Sequence, residues 1–260
     1  MFDQSPFACK LEWGQRGARE AAERGDLIIV VDVLSFSSTV TTAAEYGAVI
    51  YPYPPPVNEH ARRFAEEIGA RMVWGRAESE KFGGPSLSPL TFLPSDEGHK
   101  FVMCSLNGAA CTWAATKATA VIAGCLRNAS AVAAYANEQS AILGADVTVV
   151  PCGEQWNDPT EQENRLRPGI EDYLAAGLIL SKLNGSKSPE AQVCVGAYEY
   201  SRLNVAELIY DSGSGRELRQ RGYEADVTHC IQTDRSLAVP VLEEGRFMDK
   251  GKNRSAARSE

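Results

Sequence analysis

The chain has 260 residues, of which 44% are hydrophobic and 23% charged, with 22 Gly and 13 Pro. These are globular proportions, and they exclude disordered and fibrous classes. With 26 Lys+Arg against 34 Asp+Glu the net charge is −8, which disfavours non-specific binding to nucleic acid or anionic lipid and leaves room only for a local basic pocket. The most apolar stretch, Ala109 to Leu126, carries Lys117 in its middle and is no membrane span. The start MFDQSPFACKLEWG lacks the basic-then-apolar order of a signal peptide, so a cytoplasmic chain with no membrane and no nucleic-acid partner is expected. Cys9, Cys104, Cys111, Cys125, Cys152, Cys194 and Cys230 are scattered with no C-x-x-C pair, as suits buried reduced thiols. His60, His99 and His229 offer no zinc-binding spacing.

In chain order, DLIIVVDVL (Asp26 to Leu34) is a nearly continuous apolar run, as expected of a strand covered on both faces. SFSSTVTTAAEYGA follows as a helix, capped by Ser35 or Ser37 and stopped at Gly47. AVIYPY is a strand, PPP a turn, and VNEHARRFAEEIGA a helix with Ala61, Phe64, Ala65 and Ile68 at helical spacing. MVWGRAESEKFGGPSLSPLTFLPSDEG has no clear period and is expected to be a long loop. KFVMCS, AVIAGC and DVTVVPC then read as strands, with NGAACTWAATKA and SAVAAYANEQSAIL as the helices between them. The loop GEQWNDPTEQENRLRPG leads to helix IEDYLAAGLILSKL, and the chain closes with GRELRQRGYEADVTHC and a VPVLEEGRF run. The alternation predicts a single α/β domain over residues 1–248, with a smaller lobe allowed from about residue 155, and a disordered polar tail over 249–260.

Open α/β sheets bind ligands outside the carboxyl ends of their strands, so the strand-to-helix turns are where chemistry is sought. In VVDVLSFSST, Asp32 ends a buried strand and Ser37, Ser38 and Thr39 open a helix. An acid beside a hydroxyl-rich helix start suits a metal-bridged phosphate, or else Asp32 only ties the turn and the hydroxyls only cap. In MCSLNGAACT, Asn107 and Gly108 either turn the N–H groups of 108–110 toward an anion or make an ordinary turn. In RLRPGIEDYLAAG, Glu171 and Asp172 either complement the helix dipole or bind a metal and its second-shell water. Arg167 stands just before them. G-x-S-x-G, G-x-G-x-x-G and Walker A patterns are absent from the sequence.

Taken in order, VVDVLSFSSTVTTAAEYGA, SLSPL, MCSLNGAACT, VIAGCLRNASAVA, VVPCGE, GIEDYLAAG and the segment GRELRQ to EEGRF resemble the 2-phosphosulfolactate phosphatase family, from about Asp26 to Phe247. The resemblance implies a three-layer α/β/α sandwich with a mixed, mostly parallel sheet. It also implies Mg²⁺-dependent hydrolysis of a phosphate ester of a small sulfonated carboxylic acid, within coenzyme M biosynthesis. On this basis Asp32 and Asp172 are the candidate catalytic groups. Asp32, Glu171 and Asp172 are the candidate metal ligands. Ser35, Ser37, Ser38, Asn107, Gly108 and Arg167 are the candidate binders of a small anionic phosphorylated substrate. The family commonly has Arg where Ser35 stands and a Thr-rich version of the Ser105–Ala109 turn, and Arg167 is a candidate replacement for that Arg. Three readings stay open: this phosphatase, one for a different small phospho-acid, and a non-catalytic anion-binding homologue. Direct hydrolysis, a phosphoenzyme and a homodimer are likewise open.

Overall fold

A computed structural model describes residues 3–156, 160 and 165–251. Its strands are β1 (Cys9–Leu11), β2 (Leu27–Val31), β3 (Val49–Tyr53), β4 (Arg71–Val73), β5 (Lys100–Cys104), β6 (Ala120–Gly124), β7 (Val147–Pro151), β8 (Glu154–Gln155), β9 (Leu166–Arg167), β10 (Pro240–Glu243) and β11 (Arg246–Asp249). The helices are α1 (Gly14–Glu23), α2 (Phe36–Glu45), α3 (Glu59–Glu67), α4 (Arg76–Phe82), α5 (Gly108–Ala114), α6 (Ala129–Leu143), α7 (Ile170–Lys182), α8 (Pro189–Ser201), α9 (Val205–Tyr210), α10 (Gly213–Gln220) and α11 (Glu224–Cys230). Nine of the strands form one sheet in the order β1-β7-β2-β6-β10-β11-β3-β5-β4.

The expected mixed, mostly parallel sheet between helical layers is present. Residues of β2 alternate between two cores, as a period of two requires. Leu27, Ile29 and Val31 join α6, α7 and α8 on one face. Ile28 and Val30 join α1, α2 and α5 on the other. A smaller cluster seats Ala65 and Phe64 of α3 against Tyr51 and Val102.

β1, β7, β2 and β6 are parallel to one another, as are β3, β5 and β4. Between these groups the β10–β11 hairpin pairs antiparallel on both sides, Val241 with Ile122 and Phe247 with Ile50. Four strands thus separate β2 from β5, a span of roughly 24 Å in a flat sheet. Yet the Gly108 N–H after β5 donates to Asp32 Oδ2 after β2 at 3.0 Å. The sheet therefore curls, and α2 fills its hollow: Phe36, Val40 and Ala43 share a core with Ile28, Phe101, Met103 and Phe247.

Two expectations need correction. The segment from Met72 to Gly98 is no structureless loop: it holds the end of β4, helix α4 and two short 3₁₀ turns, Pro89–Thr91 and Pro94–Asp96. Its helix escaped notice because α4 has no buried residue and hence no apolar period. The expected tail begins too early, since Asp249 pairs with Pro240 in the sheet; residues 252–260 lie outside the described residues. Among the described residues no helix is long and apolar enough to cross a membrane.

Candidate active site

Two carboxylates staple three strand-end turns together. Asp32 accepts the Phe36 N–H at Oδ1 and the Gly108 N–H at Oδ2, both at 3.0 Å, joining the turns after β2 and β5. Asp172 accepts the Val33 N–H at 2.8 Å and the Gly153 N–H at 2.9 Å, joining the turns after β2 and β7. Glycine is required at both outer anchors. A Cβ at 108 would collide with the Phe36 ring, and Gly153 has φ +64 with the Arg167 carbonyl 2.7 Å from where a Cβ would lie.

Burial pushes Asp32 up to about 6, against the two N–H bonds that favour its charge, with the Glu171 carboxylate adding to the rise. Burial likewise raises Asp172 well above the carboxylate range, helped by the charges of Asp32 and Glu171. Glu154, at the end of the turn after β7, accepts from Asn107 Nδ2 at 2.8 Å. Its own burial, and then the charges of Asp32 and Glu171, push it up to about 8. Four carboxylates therefore crowd one end of the sheet.

A cleft of about 910 Å³ opens over this floor and is lined by Asp32, Ser35, Ser105, Asn107 and Glu154 on one side. Arg76, Arg165, Arg167 and Arg221 line it as well. The other large groove, about 840 Å³ between Trp13, Tyr173 and Val193, has Glu12 and Glu190 as its charged lining and no cation. It does not suit a phosphorylated anion.

Of the candidates named from sequence, Asp32, Ser35, Asn107 and Arg167 line the cleft. Ser37 and Ser38 have another use. Every residue of α2 from Phe36 to Ala44 is buried, so its hydroxyls must find partners inside the protein. Ser37 Oγ donates to Val30 O and Ser38 Oγ to Val33 O, turned away from the cleft. The Gly108 N–H is spent on Asp32 and Ser105 Oγ rather than held open for an anion. Glu171 and Asp172 are each 3% exposed. Asp172 does not line the cleft, as Asp32 does, and both its oxygens hold backbone N–H groups, which gives it the position of a clamp.

Arg76 went unnoticed in the sequence. Its Nε donates to Asp226 Oδ2 at 2.8 Å, and its Nη2 to Ser35 Oγ at 2.9 Å and to Leu87 O at 3.3 Å. Ser88 Oγ holds the other oxygen of Asp226. A nearly buried guanidinium thus stands at the hydroxyl of Ser35, the position where the resemblance implies an arginine. No periodicity marked it, because α4 lies in the segment without an apolar pattern. Glu154 could have been found, since it sits in a strand-end turn like Asp32.

A curled α/β sheet with a buried aspartate at its strand ends and four arginines lining the same cleft suits an anionic substrate such as a phosphate ester. A model of the family described as 2-phosphosulpholactate phosphatase matches residues 16–245. The chain belongs to this family of phosphoric monoester hydrolases. It is 29% identical over 228 residues to the 2-phosphosulfolactate phosphatase of Methanothermobacter thermautotrophicus, covering 88% of this chain and 92% of that one. It is 26% identical over 226 residues to the protein of the same name in Methanocaldococcus jannaschii, covering 85% and 91%. A "Probable 2-phosphosulfolactate phosphatase" of Carboxydothermus hydrogenoformans is 30% identical over 227 residues, covering 85% and 89%.

Proposed function

We propose that the protein hydrolyses 2-phosphosulfolactate to sulfolactate and phosphate, with Mg²⁺ as its cofactor. The observation that carries this reading is the cleft itself, which two carboxylates, Asp32 and Glu154, line together with Arg76. Membership of the family supports the substrate. Seven buried free thiols suit a reducing, cytoplasmic setting.

Among the described residues no group of three or more His, Cys, Asp or Glu side chains stands ready to hold a metal ion. Mg²⁺ does not require one: it takes one or two carboxylates and completes its shell with water and substrate phosphate. The crowded carboxylate oxygens are donors of that kind, and Asp32 and Glu171 are the residues that would hold it. Bound there, it would supply charge neutralisation at the phosphoryl oxygens.

The protein's own groups divide the remaining work. The Arg76 guanidinium, the Ser105 hydroxyl and the Asn107 amide hold the phosphoryl oxygens. Asp32, raised to about 6, is a stronger base than an ordinary carboxylate and still ionised at neutral pH. It orients the attacking water and takes its proton as the new P–O bond forms. Glu154, raised to about 8, keeps its proton at neutral pH and gives it to the ester oxygen as the old P–O bond breaks. Two acids pushed apart in this way form a base and acid pair.

The test is phosphate release from 2-phosphosulfolactate and a panel of other phospho-acids, before and after EDTA and on return of Mg²⁺. Release that stops with EDTA and recovers with Mg²⁺ is expected. Full turnover in EDTA would remove the metal from the reading. Activity confined to another phospho-acid would change the substrate, and none at all would leave an anion-binding homologue.

A further inference from the structure

Helix α10 (Gly213–Gln220) lines the cleft through Gly213, Ser214, Glu217 and Leu218, and Arg221 just after it lines the cleft too. Ser212 caps this helix, its Oγ accepting the Gly215 N–H at 3.1 Å. The N–H groups of Gly213 and Ser214 belong to the first turn, which has no partners within its own helix and carries the positive end of the dipole.

Two observations make this more than a helix end. Ser214 is only 6% exposed, and its hydroxyl has no hydrogen-bond partner. Buried hydroxyls are normally paired, and because Ser214 lines the cavity, a turn about its Cα–Cβ bond offers a free donor to a ligand atom there. Arg167, in turn, lies directly over the helix start. A Cβ at residue 213 would fall 2.6 Å from its Nη2, so only glycine lets the guanidinium come this close. The Trp156 ring backs the same guanidinium, 5.5 Å from centroid to Cζ. The one acid in this wall, Glu217, is engaged by Arg221 at 3.3 Å.

We infer that Arg167, Ser214 and the first turn of α10 form a second anion subsite. It takes the acid group of the substrate that is not transferred, a sulfonate or carboxylate, while the phosphoryl group sits over Asp32. This rests on reading the cleft as a phosphatase site, and it makes α10 the element that separates phospho-acids from phosphate esters with uncharged tails. Planar or tetrahedral oxyanions both fit a guanidinium beside free N–H groups.

The test uses Ser214→Ala and Gly213→Ala, the first removing a hydroxyl that bonds nothing in the protein and the second pushing Arg167 aside. Calorimetry with sulfolactate and, separately, with inorganic phosphate reads binding without turnover. Both variants should bind sulfolactate about tenfold more weakly and inorganic phosphate as wild type does. In kinetics, KM for 2-phosphosulfolactate should rise about tenfold at nearly constant kcat, with a neutral-tailed phosphate ester unaffected. Thermal melts of the Ser214→Ala protein should match wild type. Unchanged sulfolactate binding in both variants, equal loss for both anions, or no sulfolactate binding by wild type would overturn the subsite. A wild type that binds sulfolactate but hydrolyses nothing would instead refute the phosphatase reading and leave the subsite standing.

Discussion

The floor of the cleft and its arginine wall are built on opposite principles. On the floor, Asp32 and Asp172 are fixed by four backbone N–H bonds of 2.8–3.0 Å from three turns. On the wall, Arg76 is held by the Asp226 carboxylate, the Ser35 hydroxyl and the Leu87 carbonyl, and Arg167 packs on an aromatic ring over a glycine. The N–H donors of the floor are fixed by the path of three turns, whereas an arginine can move from one element to another if its head reaches the same place. On the proposed reading the floor sets the reaction and the wall sets what is accepted.

The sharpest way to break this contrast is to compare the two floor aspartates. Asp32→Asn should lower kcat by about 10²–10⁴-fold, the range of a lost acid or base. It should lower the melting temperature less than loss of Asp172 does, because the Asn oxygen still accepts one of the two backbone N–H groups and burial already disfavours the lost charge. Asp172→Ala should instead act on stability, at about 1–3 kcal/mol for each backbone N–H left unpaired, measured by denaturant unfolding. Equal kinetic effects with no loss of stability would erase the distinction between reacting group and clamp.

Arg76→Ala tests the wall. Losing a charge-assisted bond to phosphate costs about 1.5–3 kcal/mol, which is roughly ten- to a hundredfold in KM. The loss should fall on every phosphate ester alike. Unfolding should become easier as well, because Asp226 is left buried without its cation. An effect confined to acid-tailed substrates would place Arg76 at the wrong end of the cleft.

The smallest effect is on pH dependence. Activity should rise as Asp32 loses its proton and fall as Glu154 loses its own, at or below about 6 and about 8 respectively, because Mg²⁺ held by Asp32 and Glu171 would favour both charged forms. Stability runs the other way from that of a salt-bridged acid. Both folded values lie above those of the unfolded chain, so the folded state binds more protons in between and stability declines as pH rises toward 8. Glu154→Gln should flatten the alkaline part of both curves, and a melting temperature that climbs from pH 5 to 8 in wild type would contradict the carboxylate crowding.

The strands that carry the floor were legible because they are covered on both faces and read as unbroken apolar runs, LIIVV above all. Asp32 was legible for the same reason, as a charge at the end of such a run. The uses of Ser37 and Ser38 were not, because a hydroxyl-rich helix start looks the same whether it faces an anion or, as here, lies within a curled sheet. Arg76 and Ser214 left no trace in any period: α4 has no buried apolar face, and α10 is a short polar helix whose importance lies in where the fold sets it.

The hairpin of β10 and β11 has a consequence for how the molecule is made. It joins β6 to β3 in the middle of the sheet, yet it comes from residues 240–249, more than a hundred positions after β6 in the chain. Until a ribosome has released that segment, the two parallel strand groups have no backbone link between them, and the edges of β6 and β3 stay open to other chains. Closing the sheet is thus a late, long-range event. A polypeptide cut short before Pro240 would carry nearly every residue of the cleft and still lack the span that brings the two sides together.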